Sequence, residues 1–302
     1  MLGWRLLVSA ILIPVLFGLF YFDQSAGAHA PFLLGLCCLL IVRGSWELTN
    51  LLTVRNLAPS YPTVCLLSLL ICIAAWFPFL NLSFFTTQGN PQTLSLAFMA
   101  VAYAIAVLII FLKAAICFEE PGQSMEMMGA EILAVSYLGF LLAITAELRW
   151  VAGAQTGYLA LGSLIISAKM GDIGGYTFGR LWGKAKLVPR LSPGKTRVGG
   201  VGALFGAALG AFLWLQFTPA LFHSNWTAPA WYWSILFGAV IGLVGLVGDL
   251  CESLIKRDVG KKDSAELLPG FGGLLDLLDS PLYAGPVAFL MWKLFPLLTV
   301  VN

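Results

Sequence analysis

The sequence predicts an all-α polytopic membrane protein of about nine transmembrane helices, with the N-terminus inside and the C-terminus outside. Three observations predict it: scarcity of charge, a series of apolar runs of bilayer length, and one-sided placement of lysine and arginine. Of 302 residues, 59% are hydrophobic and 11% charged, whereas a soluble domain carries about 25% charged residues. Lipid is the natural solvent for such a surface. A net charge of +2 is too small to indicate a nucleic-acid partner. The six cysteines, Cys37, Cys38, Cys65, Cys72, Cys117 and Cys251, form no C-x-x-C pair, so they read as packing residues rather than zinc ligands or a disulfide framework.

A helix crossing about 30 Å of hydrocarbon needs about 20 apolar residues. Runs of that kind lie near 5–22, 31–52, 62–82, 93–113, 129–148, 156–173, 199–217, 232–251 and 281–300. The sixth is the weakest, because Lys169 and Asp172 enter its last turns. The first could pass for a signal peptide ending at Ala26 to Ala28, but it reads as an uncleaved span, since the charge pattern needs it. With nine spans, fifteen of the seventeen Lys and Arg residues fall on the N-terminal side. Cytoplasmic loops attract that excess. The expected layout is one membrane domain, with N-terminal helices over 1–150 and a catalytic region over 151–302. Two long, charged cytoplasmic segments, 174–198 and 251–280, punctuate that region.

Seven of the fifteen acidic residues, Asp249, Glu252, Asp258, Asp263, Glu266, Asp276 and Asp279, fall between 249 and 279, interleaved with Lys256, Arg257, Lys261 and Lys262. Positions 249, 252, 253 and 256 share one helical face, and a carboxylate at the embedded end of a span normally faces a polar cavity. Pro269, Gly270, Phe271, Gly272 and Gly273 make a glycine-rich turn, whose amides can approach an anion where a helix begins. Asp276 and Asp279, three apart, face one way in that next helix and suit Mg²⁺, which takes oxygen ligands and bridges to phosphates. Grouped at a membrane boundary, these are the parts of a phosphoryl- or nucleotidyl-transfer site.

The second basic segment holds Asp172, Tyr176, Gly179, Arg180, Lys184, Lys186, Ser192, Lys195 and Thr196. Gly194, Lys195 and Thr196 end like a phosphate-binding loop, but that motif needs a glycine where Pro189 stands. Its cations read equally as phosphate contacts or as cytoplasmic anchors.

These residues resemble the CDP-diacylglycerol synthase (phosphatidate cytidylyltransferase) family. Its signature runs Ser-x-x-Lys-Arg, Lys-Asp, Pro-Gly-His-Gly-Gly and Asp-Arg-x-Asp. Here it reads Ser253, Lys256 and Arg257, then Lys262 and Asp263, then Pro269 to Gly273, then Asp276 and Asp279, with matching spacing. The upstream stretch from Asp172 to Thr196 is similar too, so the detailed match covers roughly 169–286. The first 150 residues match only in hydropathy.

The resemblance implies transfer of CMP from CTP to phosphatidate, giving CDP-diacylglycerol and pyrophosphate, with Mg²⁺ required. It implies a catalytic set of Asp249, Lys256, Arg257, Asp263, Asp276 and Asp279. Substrate binding would fall to Asp172, Lys195, Thr196, Lys262, Gly270, Gly272 and Gly273. Asp249, Asp276 and Asp279 would hold the metal, although Asp249 could instead position a lysine. It further implies a homodimer, and an inner (plasma) membrane site of a bacterium with its chemistry facing the cytoplasm. Three positions depart from the pattern: Phe271 replaces its histidine, Leu277 its arginine, and Arg197-Val198 its Trp-Glu or Trp-Gln. They leave open a CTP-dependent enzyme with another lipid or prenol phosphate as acceptor. A transporter or a catalytically silent lipid-binding relative is a further reading, but a transporter's acids should lie near mid-membrane in corresponding halves.

Overall fold

The computed structural model describes residues 2–55, 58–80, 89–153, 157–265 and 272–300, with backbone alone for 2–10, 12 and 13. Among the described residues the elements are helices, apart from two small two-stranded sheets and the connecting turns. It divides into two compact units, Met1–Ile144 with Val259–Leu277, and Thr145–Asp258 with Leu278–Asn302.

The first unit contains α1 (Leu2–Ser25), α2 (Pro31–Leu52), α3 (Tyr61–Leu80), α4 (Pro91–Ile116) and α5 (Ser124–Val135). A π-turn over Ser136–Phe140 and α6 (Leu141–Ala146) continue the line of α5. Helix starts are set locally. Proline opens α2 and α4, where a missing N–H costs nothing. Asn90 caps α4 by accepting from the Gln92 amide at 3.0 Å. Ala30 offers no capping side chain for α2, so Asp23 accepts from the amides of Phe32 (2.6 Å) and Leu33 (3.1 Å) instead. Ile71, Cys72, Ala75 and Trp76 of α3 are fully buried, and Gly139 of the π-turn lies so near α3 that a Cβ there would meet the Ser68 backbone at 2.9 Å. Leu66, Leu108 and Leu112 point outward and are exposed, as lipid-facing side chains are.

The second unit contains α7 (Leu159–Trp182), β1 (Lys186–Val188), β2 (Ser192–Thr196), α8 (Arg197–Phe217), α9 (Pro219–Phe222), β3 (Trp226–Thr227) and α10 (Trp231–Asp258). It also takes most of α11 (Leu275–Leu294) and β4 (Thr299–Val300). β1 and β2 form an antiparallel hairpin, and β4 pairs antiparallel with β3. Apolar burial drives little association between helices already in lipid, so close packing relies on small residues. Here the backbones of α7 and α8 touch: a Cβ on Gly206 would lie 3.1 Å from the Gly174 Cα. α10 joins the stack the same way, since a Cβ on Gly242 would lie 3.0 Å from the Ala203 carbonyl oxygen. Val201, Phe205 and Phe217 face outward and are exposed.

Among the described residues, six helices are long and apolar enough to cross a membrane: Pro31–Leu52, Tyr61–Leu80, Pro91–Ile116, Ser124–Arg149, Arg197–Phe217 and Trp231–Asp258. An all-α membrane protein is therefore correct as a class. Three expected spans differ most in their bounds, one of them α10, which runs to Asp258 rather than 251. α7 runs to Trp182, well past the expected end at 173, so Tyr176 and Arg180 ride on a helix rather than in a loop, while Asp172 lies within the helix as expected. α11 ends at Leu294 and begins at Leu275 rather than 281, where its first amide is capped by a carboxylate described below.

Candidate functional site

In the second unit the site is built on the last turns of α10. The helix runs on through Asp258, so Asp249, Glu252, Ser253 and Lys256 share a face, as their spacing predicts. Glu252 and Lys256 form an ion pair one turn apart, both side chains buried. The Ser253 hydroxyl donates to Asp249 Oδ1 at 3.5 Å. The β1–β2 hairpin is fastened to α10 by two cations. Lys195 Nζ lies 2.7 Å from Asp249 Oδ2, and Arg257 Nε donates to the Leu191 carbonyl at 3.4 Å. Thr196 is buried and caps α8, its Oγ1 accepting from the Gly199 amide at 3.0 Å. Its position thus has a structural cause apart from any substrate.

α10 and α11 approach closely through Gly245 and Gly248. A Cβ on Gly248 would lie 3.0 Å from the Asp279 carbonyl oxygen, and Ser280 Oγ donates to the Gly245 carbonyl at 3.3 Å. Gly248 precedes Asp249, so this approach brings Asp249 towards Asp279. Asp279 is 7% exposed and accepts from its neighbour's amide, Ser280 N, at 2.5 Å. The charges acting on it are the carboxylates of Asp249 and Asp172 and the ammonium of Lys169, which pairs with Asp172 at 3.0 Å. Asp279 thus lies within the electrostatic reach of two further carboxylates, each of which is paired with a lysine. A buried carboxylate that feels two others is costly unless a cation joins it.

In the first unit Asp276 behaves differently. Its Oδ2 accepts from Ser264 N (3.0 Å), Ser264 Oγ (2.8 Å) and Gly273 N (2.8 Å). Glu47, fully buried on α2, accepts from Leu275 N at 3.1 Å and pairs through Oε1 with Arg43 at 3.1 Å. The amides of Gly273 and of Leu275, the first residue of α11, expected to approach an anion, are thus met by the chain's own carboxylates. The glycines are needed for this. Gly272 has φ +92 and no room for a Cβ, which would fall 2.6 Å from Asp276 Oδ2. A Cβ on Gly273 would fall 2.6 Å from Glu47 Oε2. Lys262 and Asp263 are exposed in the turn after α10. Glu266, Pro269, Gly270 and Phe271 lie outside the described residues.

Sequence reasoning gave no role to Glu47, Ser264 or Lys169, and left Glu252 without its partner. Glu47 and Arg43 were detectable as opposite charges one turn apart within an apolar run, a placement that is expensive in lipid. Among the described residues no group of three or more His, Cys, Asp or Glu side chains forms a metal cage. The donors present are pairs of carboxylates, the usual protein contribution to Mg²⁺ when substrate phosphates complete the shell.

A sequence model of the Cytidylyltransferase family matches residues 3–295. The chain belongs to this family. A phosphatidate cytidylyltransferase of Chlamydia pneumoniae is 34% identical over 171 residues, 55% of this chain and 54% of that protein. One from Synechocystis is 28% identical over 292 residues, 87% of this chain and 88% of that protein. The uncharacterized protein YnbB of Escherichia coli is 37% identical over 158 residues, 52% of this chain and 49% of that protein. The chain thus spans about half the length of several of the relatives it matches. The family match reaches through α1 to α5, where hydropathy alone had offered a likeness.

Proposed function

We propose that the protein is a phosphatidate cytidylyltransferase, a CTP-dependent nucleotidyltransferase that makes CDP-diacylglycerol and pyrophosphate for phospholipid synthesis. The observation that carries this reading is the buried Asp279 carboxylate, set among Asp249, Asp172 and Lys169, in a chain of the cytidylyltransferase family. Asp249 and Asp279 are the residues that would hold Mg²⁺, which when bound offsets phosphate charge. Asp276 has one oxygen taken up by three hydrogen bonds and in this reading shapes the turn rather than holding the metal.

In this reading an oxygen of the lipid phosphate attacks the α-phosphorus of CTP in line, a new P–O bond forms, and the bond to the β-phosphate oxygen breaks. Pyrophosphate leaves with that electron pair. The attacking oxygen is already anionic at neutral pH, so no strong general base is required. The chief barrier is the meeting of two polyanions. Lys195, Lys256, Arg257 and Lys262 supply the positive field that lowers it. Purified protein in detergent should release pyrophosphate only when phosphatidate, CTP and Mg²⁺ are all present. Release with another lipid or prenol phosphate but not with phosphatidate would move the acceptor assignment and keep the chemistry. No release with any acceptor would overturn the reading.

The same reading has nine spans, the N-terminus inside, and the acidic end of α10 at the cytoplasmic face of a bacterial inner membrane. The homodimer implied by the family resemblance belongs to it as well. Cys117, exposed just beyond α4, tests the sidedness. A membrane-impermeant maleimide should leave it unlabelled in intact spheroplasts and label it after permeabilisation. Labelling without permeabilisation would invert the topology.

A further inference from the structure

We infer that Glu47 is a positioning residue, which holds the start of α11 and through it sets the orientation of the Asp279 carboxylate. The inference rests on the reading of Asp279 as part of the catalytic site. α11 begins at Leu275, and its first turn would leave backbone amides without intrahelical partners. One of them, Leu275 N, donates to Glu47 Oε2 at 3.1 Å, and Ser264 Oγ lies 3.4 Å from the same oxygen. Gly273 N, just ahead of the helix, donates to Asp276. Glu47 comes from α2, 228 residues earlier, and so supplies a long-range tie that no residue near α11 provides.

The geometry around Glu47 is specific to a carboxylate. Oε1 faces Arg43 Nη2 at 3.1 Å while Oε2 faces the helix amide, so the two oxygens work in two directions. Arg43 is itself held over the Trp46 ring, 4.2 Å from its centroid. A negative charge at a helix N-terminus is also favoured by the helix dipole. A side chain on Gly273 would meet Ser264 Oγ first, and then Glu47 Oε2 at 2.6 Å, so the glycine, the serine and the glutamate form one fitted contact. Asp279 follows Leu275 by four residues, about one turn along the same helix. A twist or fraying at Leu275 therefore turns Asp279 away from its present partners, and Asp279 has little latitude because it is buried.

The test compares parent protein with Glu47→Gln, which keeps the volume and one acceptor oxygen, and Glu47→Ala, which removes both. Hydrogen–deuterium exchange of the peptide covering 272–280 is measured together with kcat, KM for CTP and the Mg²⁺ concentration for half-maximal rate. We expect exchange in that peptide to rise at least tenfold in Glu47→Ala. In Glu47→Gln we expect kcat to fall tenfold or more and the Mg²⁺ requirement to rise severalfold, with KM for CTP nearly unchanged. Unchanged exchange in both variants overturns the tie to α11. Faster exchange with parental kcat and Mg²⁺ dependence overturns the positioning role. If Glu47→Ala does not fold, Glu47→Gln decides on the same readouts. A parent inactive on every acceptor defeats the functional reading, while the exchange experiment still judges the contact.

Discussion

Asp279→Asn should lose activity by about 100-fold or more, the scale seen when one preorganised electrostatic group is removed from an active site. The same variant should be at least as stable as the parent in the absence of divalent metal. The reason is the setting of the carboxylate: it is 7% exposed and feels the charges of Asp249 and Asp172. Asparagine keeps the size and an oxygen for the Ser280 amide but removes a buried like charge. Parent protein should gain thermal stability when Mg²⁺ is added, because a ligand bound only by the folded state stabilises it. The variant should gain far less. Thermal unfolding in detergent, with EDTA or with Mg²⁺, reads both effects beside the rate. A variant that is both active and equally responsive to Mg²⁺ would remove Asp279 from the site.

Lys195→Met should lower kcat/KM for CTP by about 100-fold, a little under 3 kcal/mol at 1.36 kcal/mol per tenfold. Lys195 has two possible tasks, and its 2.7 Å contact with Asp249 makes them separable. If its work is to steer Asp249, then Lys195→Met combined with Asp249→Asn should be no worse than the poorer single variant. If it also meets a phosphate of CTP, the losses should add. We expect the losses to add in part, because the lysine side chain remains 18% exposed beside Asp249. A single variant with parental kcat/KM would leave the ion pair as a fastening of the hairpin alone.

The helical class was legible in the sequence because a bilayer allows little else to helices that must satisfy their own backbone groups. The face shared by Asp249, Glu252, Ser253 and Lys256 was legible too, since local periodicity determines it. The reach of α7 to Trp182 was not. Its last turns carry Tyr176 and Arg180, which look like loop residues by hydropathy but are helical with an Arg180–Tyr176 hydrogen bond at 2.7 Å. The turn at Gly272 and Gly273 shows a deeper limit. Glycines that bare their amides announce an anion, yet spacing cannot say whether it comes from a ligand or from the chain. Here Glu47 and Asp276 supply it for the described amides, and Glu47 stands more than 200 residues away, where no local pattern could connect it.

The backbone contacts among α7, α8 and α10 have a mechanical consequence. Where helices meet through the backbone of glycine and alanine, few side chains lie between them to repack, and Phe178, Met170 and Trp214 are packed directly against glycines of the facing helix, so sliding or splaying by small rotamer steps is hindered. Asp172 and Asp249 ride on the first and last of these helices, Thr196 caps the second, and Lys195 stands directly beside that cap. Those groups are mounted on what amounts to a single stiff slab. Their mutual spacing should stay constant as reactants come and go, in the manner of a fixed jig rather than a closing jaw.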